Sequence, residues 1–136
     1  MECNALIPLL LWIGLILGIA SRPKTVFLDP DTRVIYRIPR VLIPYAYHGS
    51  AFFILAILFL RHFLSRSDGK IARKTEALSL LGSALVSICS ELIQLYVPTR
   101  TPAFRDLAID LLGAALGIFF MRRRHHPINF TSSVQR

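Results

Sequence analysis

A chain of 136 residues is about one domain long and leaves no room for a second. It is 54% hydrophobic and only 18% charged, with a mean hydropathy of +0.54, whereas soluble domains run at about 45–50% apolar and about 25% charged. That argues against disorder and against a water-soluble globule, and the net charge of +8 narrows the choice to an integral membrane protein or an apolar nucleic-acid binder.

Taken in chain order, the elements decide between the two. Residues 1–21 contain no Lys or Arg, and 5–20 form the first predicted span. Gly18-Ile19-Ala20 also resembles a signal-peptidase site, but Glu2 and the lack of any basic residue before the apolar run oppose cleavage. Five basic residues follow between Arg22 and Arg40. The second span, 41–60, has none, and Pro44 falls in its first turn, where a missing N–H costs little. Five more lie from Arg61 to Lys74, and the third span, 77–97, is again bare. Arg100 and Arg105 occupy a short hairpin, a fourth span covers 107–121, and 122–136 reads as a basic, disordered tail. A nucleic-acid binder spreads its cations along exposed faces of its elements. Here the elements are stripped of them and the connections hold them, which is the membrane pattern.

The expected fold is therefore an all-α membrane protein, four transmembrane helices in an antiparallel bundle. The side holding the N-terminus, the 61–74 connection and the tail carries nine basic residues against seven on the other. That places both termini in the cytoplasm, although the first helix, followed but not preceded by basic residues, argues the opposite way. Cys3 and Cys89 fall in no metal or redox motif, and Cys89 reads as a small core residue of the third helix. His62 and the His125-His126 pair read as exposed histidines rather than metal ligands. No metal site or cofactor is implied.

Ionisable groups at membrane depth cost about 2.5–3.5 kcal/mol each on insertion scales and call for a reason. Glu91 and Gln94 share a face of the third helix with Ser83, Ser87 and Ser90. Asp106, Asp110, Gly113 and Gly117 lie on one face of the fourth, and Gly113-x-x-x-Gly117 allows close approach of another helix. Pro98 and Pro102 interrupt helix on both sides of Arg100, so a tight hairpin brings Glu91, Gln94, Arg100, Arg105, Asp106 and Asp110 to one end of the bundle. On the same end of the second helix, Tyr45, His48 and Phe52 share a face. His48 there either completes the cluster or packs between helices.

The run from Glu91-Leu-Ile-Gln94 through Pro98-Thr-Arg100 and Asp106-Leu-Ala-Ile-Asp110 to Gly113-Ala-Ala-Leu-Gly117 resembles the signature of the VanZ-like family of small bacterial membrane proteins. His48 with Phe52 is similar to the His-x-x-x-aromatic element of that family's second helix. Two features depart from the pattern: Ile43-Pro44-Tyr45-Ala46-Tyr47 stands where Asp-Lys is common, and Asp110 where Asn is common. The resemblance implies a multi-pass protein of the bacterial inner membrane with about four helices, and an association with teicoplanin-type glycopeptide resistance.

Three functions compete. In the first, the outer end of the bundle binds a membrane lipid, a lipid-linked envelope precursor or a lipoglycopeptide. Arg100 and Arg105 would then hold an anionic headgroup, helped by the interfacial run Arg33-Val-Ile-Tyr36-Arg37-Ile-Pro-Arg40, with Glu91, Asp106 and Asp110 orienting the arginines. In the second, the polar cluster is purely structural and the protein is an accessory membrane subunit. The third pairs His48 with Glu91 or Asp110 as an interfacial acid–base catalyst, but no nucleophile accompanies them, so an enzyme is the lesser expectation.

Overall fold

The computed structural model describes residues 3–23, 42–67, 72–98, 100 and 102–125. Among them are four helices and no strand: α1 (Cys3–Ala20), α2 (Leu42–Arg66), α3 (Arg73–Leu95) and α4 (Phe104–His125). The cationic run 33–40, the side chain of Cys3, His126 and the tail beyond it lie outside the described residues.

α2 and α3 are long and apolar enough to cross a membrane. At 1.5 Å per residue their 25 and 23 residues reach about 37 and 34 Å, more than the hydrocarbon core of about 30 Å. Both overrun the spans expected from hydropathy: α2 continues past Leu60 to Arg66, and α3 begins at Arg73 rather than at residue 77. Apolarity marks only the part of a helix that suits hydrocarbon, whereas the backbone hydrogen bonds continue into the charged turns on either side. For the same reason α4 runs through Arg122-Arg123-Arg124 to His125, four residues into the segment expected as tail. Arg123 and Arg124 there lie 4.9 and 4.8 Å from the ring centroids of Phe119 and Phe120.

The chain directions alternate. Arg122 near the end of α4 approaches Glu76 in the first turn of α3 at 4.0 Å, while the opposite ends of these helices meet through Glu91 and Ala103. α1 belongs to the bundle: Leu9, Ile16 and Ala20 are buried, and Trp12 donates its Nε1–H to the carbonyl of Ala51 in α2 at 2.9 Å.

α3 is inverted relative to an amphipathic helix of a soluble bundle. The buried positions of α3 are Thr75, Ser79, Ser83, Ser87, Ser90 and Gln94, one stripe at helical spacing. Leu78, Leu81, Leu85 and Leu92 are exposed on its other faces. Small polar side chains inside and leucine outside are what packing against hydrocarbon selects, because lipid offers no hydrophobic drive to pull leucine inward. Ser79 and Ser83 donate to carbonyls four residues back, Thr75 and Ser79, at 2.7 and 2.9 Å, so their hydroxyls are satisfied without a partner helix. Cys89 corrects the expectation of a core thiol. It is exposed, because it falls off the 83–87–90–94 stripe.

The tightest approach is between α2 and α4. A Cβ added at Gly113 would overlap the carbonyl of Gly49, and one at Gly117 the carbonyl of Phe53. The Gly-x-x-x-Gly face thus seats the backbone of α2 directly, a step of four residues on each helix.

Candidate functional site

Close α2–α4 packing sets the site. With Gly49 against Gly113, His48 stands beside Asp110, one turn before that glycine, and His48 Nδ1 lies 3.0 Å from Asp110 Oδ1. With Asp110 ionised, its oxygens accept and Nδ1 is assigned as the donor. The second carboxylate oxygen of Asp110 accepts from the hydroxyl of Ser87 in α3. Asp110, at 1% exposure, therefore ties three helices together through two donors. The other imidazole nitrogen, Nε2, lies 4.0 Å from Asp106 Oδ2, one turn nearer the start of α4. His48 thus completes the cluster.

Glu91 and Gln94 meet as their spacing requires, Gln94 Nε2 donating to Glu91 Oε1 over a long 3.4 Å. The other oxygen of Glu91 accepts from the backbone N–H of Ala103 at 3.0 Å. Ala103 immediately precedes α4, so a side chain of α3 satisfies a backbone donor at the start of the next helix. Its negative charge, with that of Asp106 in the first turn, also suits the positive end of the α4 dipole.

The arginines stand elsewhere. Arg100 was expected among the carboxylates, but its Nε donates to the carbonyl of Arg22 at 3.0 Å and one terminal nitrogen to that of Ile19 at 3.3 Å. The turn closed by Arg100 N and Val97 O aims the side chain at the end of α1. Ile19 O already takes a turn bond from Arg22 N–H, and the negative dipole end of α1 attracts a cation there. Arg105 is exposed, and among the described residues no Lys or Arg lies within 4.0 Å of Glu91, Asp106 or Asp110.

The structure thus joins His48, Asp106, Asp110 and Glu91 with Gln94 at one end of the bundle and leaves Arg100 and Arg105 outside their ion-pairing range. Sequence reasoning left Ser87 out of the site, although it stands on the buried stripe one turn before Glu91. It had no signal for the Ala103 N–H or the carbonyls of Ile19 and Arg22, because every residue carries such groups.

Chemically, the cluster can hold a proton between His48 and its carboxylates, or a cation against them. Ser87 donates to Asp110 rather than to the imidazole, so the order nucleophile–base–acid of a hydrolytic triad is not formed. His62, expected to be exposed, is half-buried at the other end of α2. Its Nδ1 has no partner among the described residues, and its ring meets the edge of Phe63.

An apolar groove of about 340 Å³ lies beside the cluster between α3 and α4, with Ile88, Glu91, Leu92 and Leu107 in its walls. A family model described as VanZ/LLP1 matches residues 5–125, nearly the whole chain. No curated protein and no solved structure matches it with significance.

Proposed function

The chain belongs to the VanZ/LLP1 family, and from that premise we propose that it is a four-span protein of the bacterial inner membrane that binds a lipid or lipid-linked ligand at the cluster end of its bundle. The observation that carries this reading is the meeting of His48, Glu91, Asp106 and Asp110 from three helices beside a groove open to the outside. Ionisable side chains at membrane depth are costly and mark functional sites by default. A groove of this size falls within the range of about 300–1,000 Å³ typical of small-molecule sites. Positive-inside counting puts this end outside the cytoplasm and both termini within it. A part in teicoplanin-type resistance follows from the likeness to VanZ and from nothing in the geometry.

A second reading has its own observation. Asp110 has a donor on each oxygen and Arg100 caps α1, so both serve the fold whatever else the site does. Measuring membrane abundance, co-purified lipid and teicoplanin sensitivity for Glu91→Gln and Asp110→Asn separates the two. Normal abundance with lost lipid or lost resistance supports a ligand site. Variants that vanish from the membrane leave only the structural role.

A further inference from the structure

The groove between α3 and α4 differs from the rest of the outer surface in one respect. Its lining is Ile88, Leu92, Leu95, Phe104 and Leu107 with a single ionisable residue, Glu91. It opens laterally, away from the bundle axis: Leu92 is 51% exposed, and Phe104 is 94% exposed. A second groove of about 380 Å³ on the α2–α4 side, between Gly49, Phe53, Ile109, Leu112 and Leu116, has no ionisable residue at all.

The charge beside the first groove is unbalanced. His48 pairs with Asp110 and Asp106, Arg100 is committed to the carbonyls of α1, and among the described residues no Lys, Arg or His lies within 4.0 Å of Glu91. Glu91 keeps acceptor capacity: a carboxylate has about four lone-pair sites, and among the described residues only the Ala103 N–H and the long bond from Gln94 use them. Glu91 thus sets one carboxylate in the otherwise apolar wall at the cluster end of the groove.

We propose that this groove binds an aminophospholipid of the surrounding bilayer, its acyl chain along Ile88, Leu92 and Leu107 and its ammonium on Glu91; this rests on the reading of the cluster end as a ligand site. A primary ammonium brings three N–H donors to a carboxylate that has no cationic side chain within ion-pairing range among the described residues, in surroundings of low dielectric where charge-assisted hydrogen bonds are strong. An anionic headgroup offers no charge for Glu91. A quaternary ammonium offers charge without donors. The groove therefore selects by headgroup, and the second groove, with no ionisable residue in its walls, does not.

The test is native mass spectrometry of the full chain from nanodiscs of mixed phosphatidylethanolamine, phosphatidylcholine and phosphatidylglycerol. Wild-type protein should retain one phosphatidylethanolamine about tenfold in preference to phosphatidylglycerol, the ratio that one charge-assisted hydrogen bond supplies. Glu91→Gln should bring that ratio to parity. Leu92→Trp, which fills the groove and leaves Glu91 in place, should abolish retention, while Leu112→Trp in the second groove should leave it unchanged. Retention of lipid with no headgroup preference, or a preference that survives Glu91→Gln, overturns the inference and leaves the broader ligand reading standing. Absence of any retained lipid overturns both. If Glu91→Gln fails to accumulate, the wild-type ratio and the two Trp variants still decide.

Discussion

Asp110 has the least freedom of any charged residue in the site, because each of its carboxylate oxygens is assigned to a different helix. Removing a hydrogen bond to a charged group costs about 1.5–3 kcal/mol, and removing one partner of a buried pair about 3–5 kcal/mol. Ser87→Ala should therefore lower unfolding stability in detergent by about 2 kcal/mol, and Asp110→Ala by about 4 kcal/mol. The double variant should fall short of their sum, because Ser87 has nothing left to lose once Asp110 is gone. Strict additivity in thermal or denaturant unfolding would show that Ser87 does not bond to Asp110. The three acidic positions were legible from spacing, since i, i+3 and i+4 steps place side chains on one face, whereas the pattern in α2 left His48 open between the cluster and a packing role. The pairing of these groups was not legible. Opposite charges close in sequence suggested Arg100 beside a carboxylate, whereas the turn after Val97 sends it to the backbone carbonyls of α1, which no side-chain pattern reveals.

Among the elements, α2 and α4 depend most on what their residues lack. A methyl group at Gly113 would strike the carbonyl of Gly49, which belongs to a helix backbone and cannot rotate aside. At Gly18 it would meet nothing within 4 Å. Gly113→Ala should therefore destabilise the bundle by about 1–3 kcal/mol as α2 is pushed outward. Gly18→Ala should be neutral or stabilising by up to about 1 kcal/mol, since Ala is the better helix former. Gly82→Ala should fall between them, because the atoms it meets are the far end of the Phe59 ring, which can turn. Unfolding of the three variants side by side checks the ranking, and equal effects at Gly113 and Gly18 would mean that α2 and α4 are not in backbone contact. The Gly113-x-x-x-Gly117 motif announced a close crossing but not its partner. Gly49 stands alone in α2 and looks incidental until α4 is laid against it. Helix limits were legible to within a turn at the Pro98 and Pro102 breaks. They were missed at Arg66, Arg73 and His125, where helix outlasts hydropathy.

For the whole molecule, the distribution of polarity is the constraint that local geometry has to satisfy. The α3 serines, Gln94 and Asp110 share the interior with apolar residues such as Leu9, Phe52, Leu55 and Leu60, many other leucines face outward, and arginines collect at the ends. The alternating helix directions put Glu76 and Arg122 at one end and His48, Glu91 and Asp106 at the other. If all four helices cross, the 67–70 connection and the end of α4 share the first of these ends, together with the start of α1. That end carries nine basic residues of the sixteen, a margin of only two over the other, so charge counting alone sets the orientation weakly. Its local pattern is stronger. Arg122, Arg123 and Arg124 are consecutive, and two of them lie over Phe119 and Phe120, a cation–aromatic pairing suited to an interface with anionic lipid. A reporter active only in the cytoplasm should therefore be active when fused after Arg124 and when inserted between Ser67 and Lys70. It should be silent when inserted in the 24–40 connection. The first two positions test the number of crossings and the third tests the sign: opposite readings after Arg124 and at 67–70 require an odd number of crossings between them and exclude the four-span bundle. Matching silence at both, with activity at 24–40, keeps the bundle but turns it over. The carboxylate cluster would then face the cytoplasm, and its lipid would come from the inner leaflet.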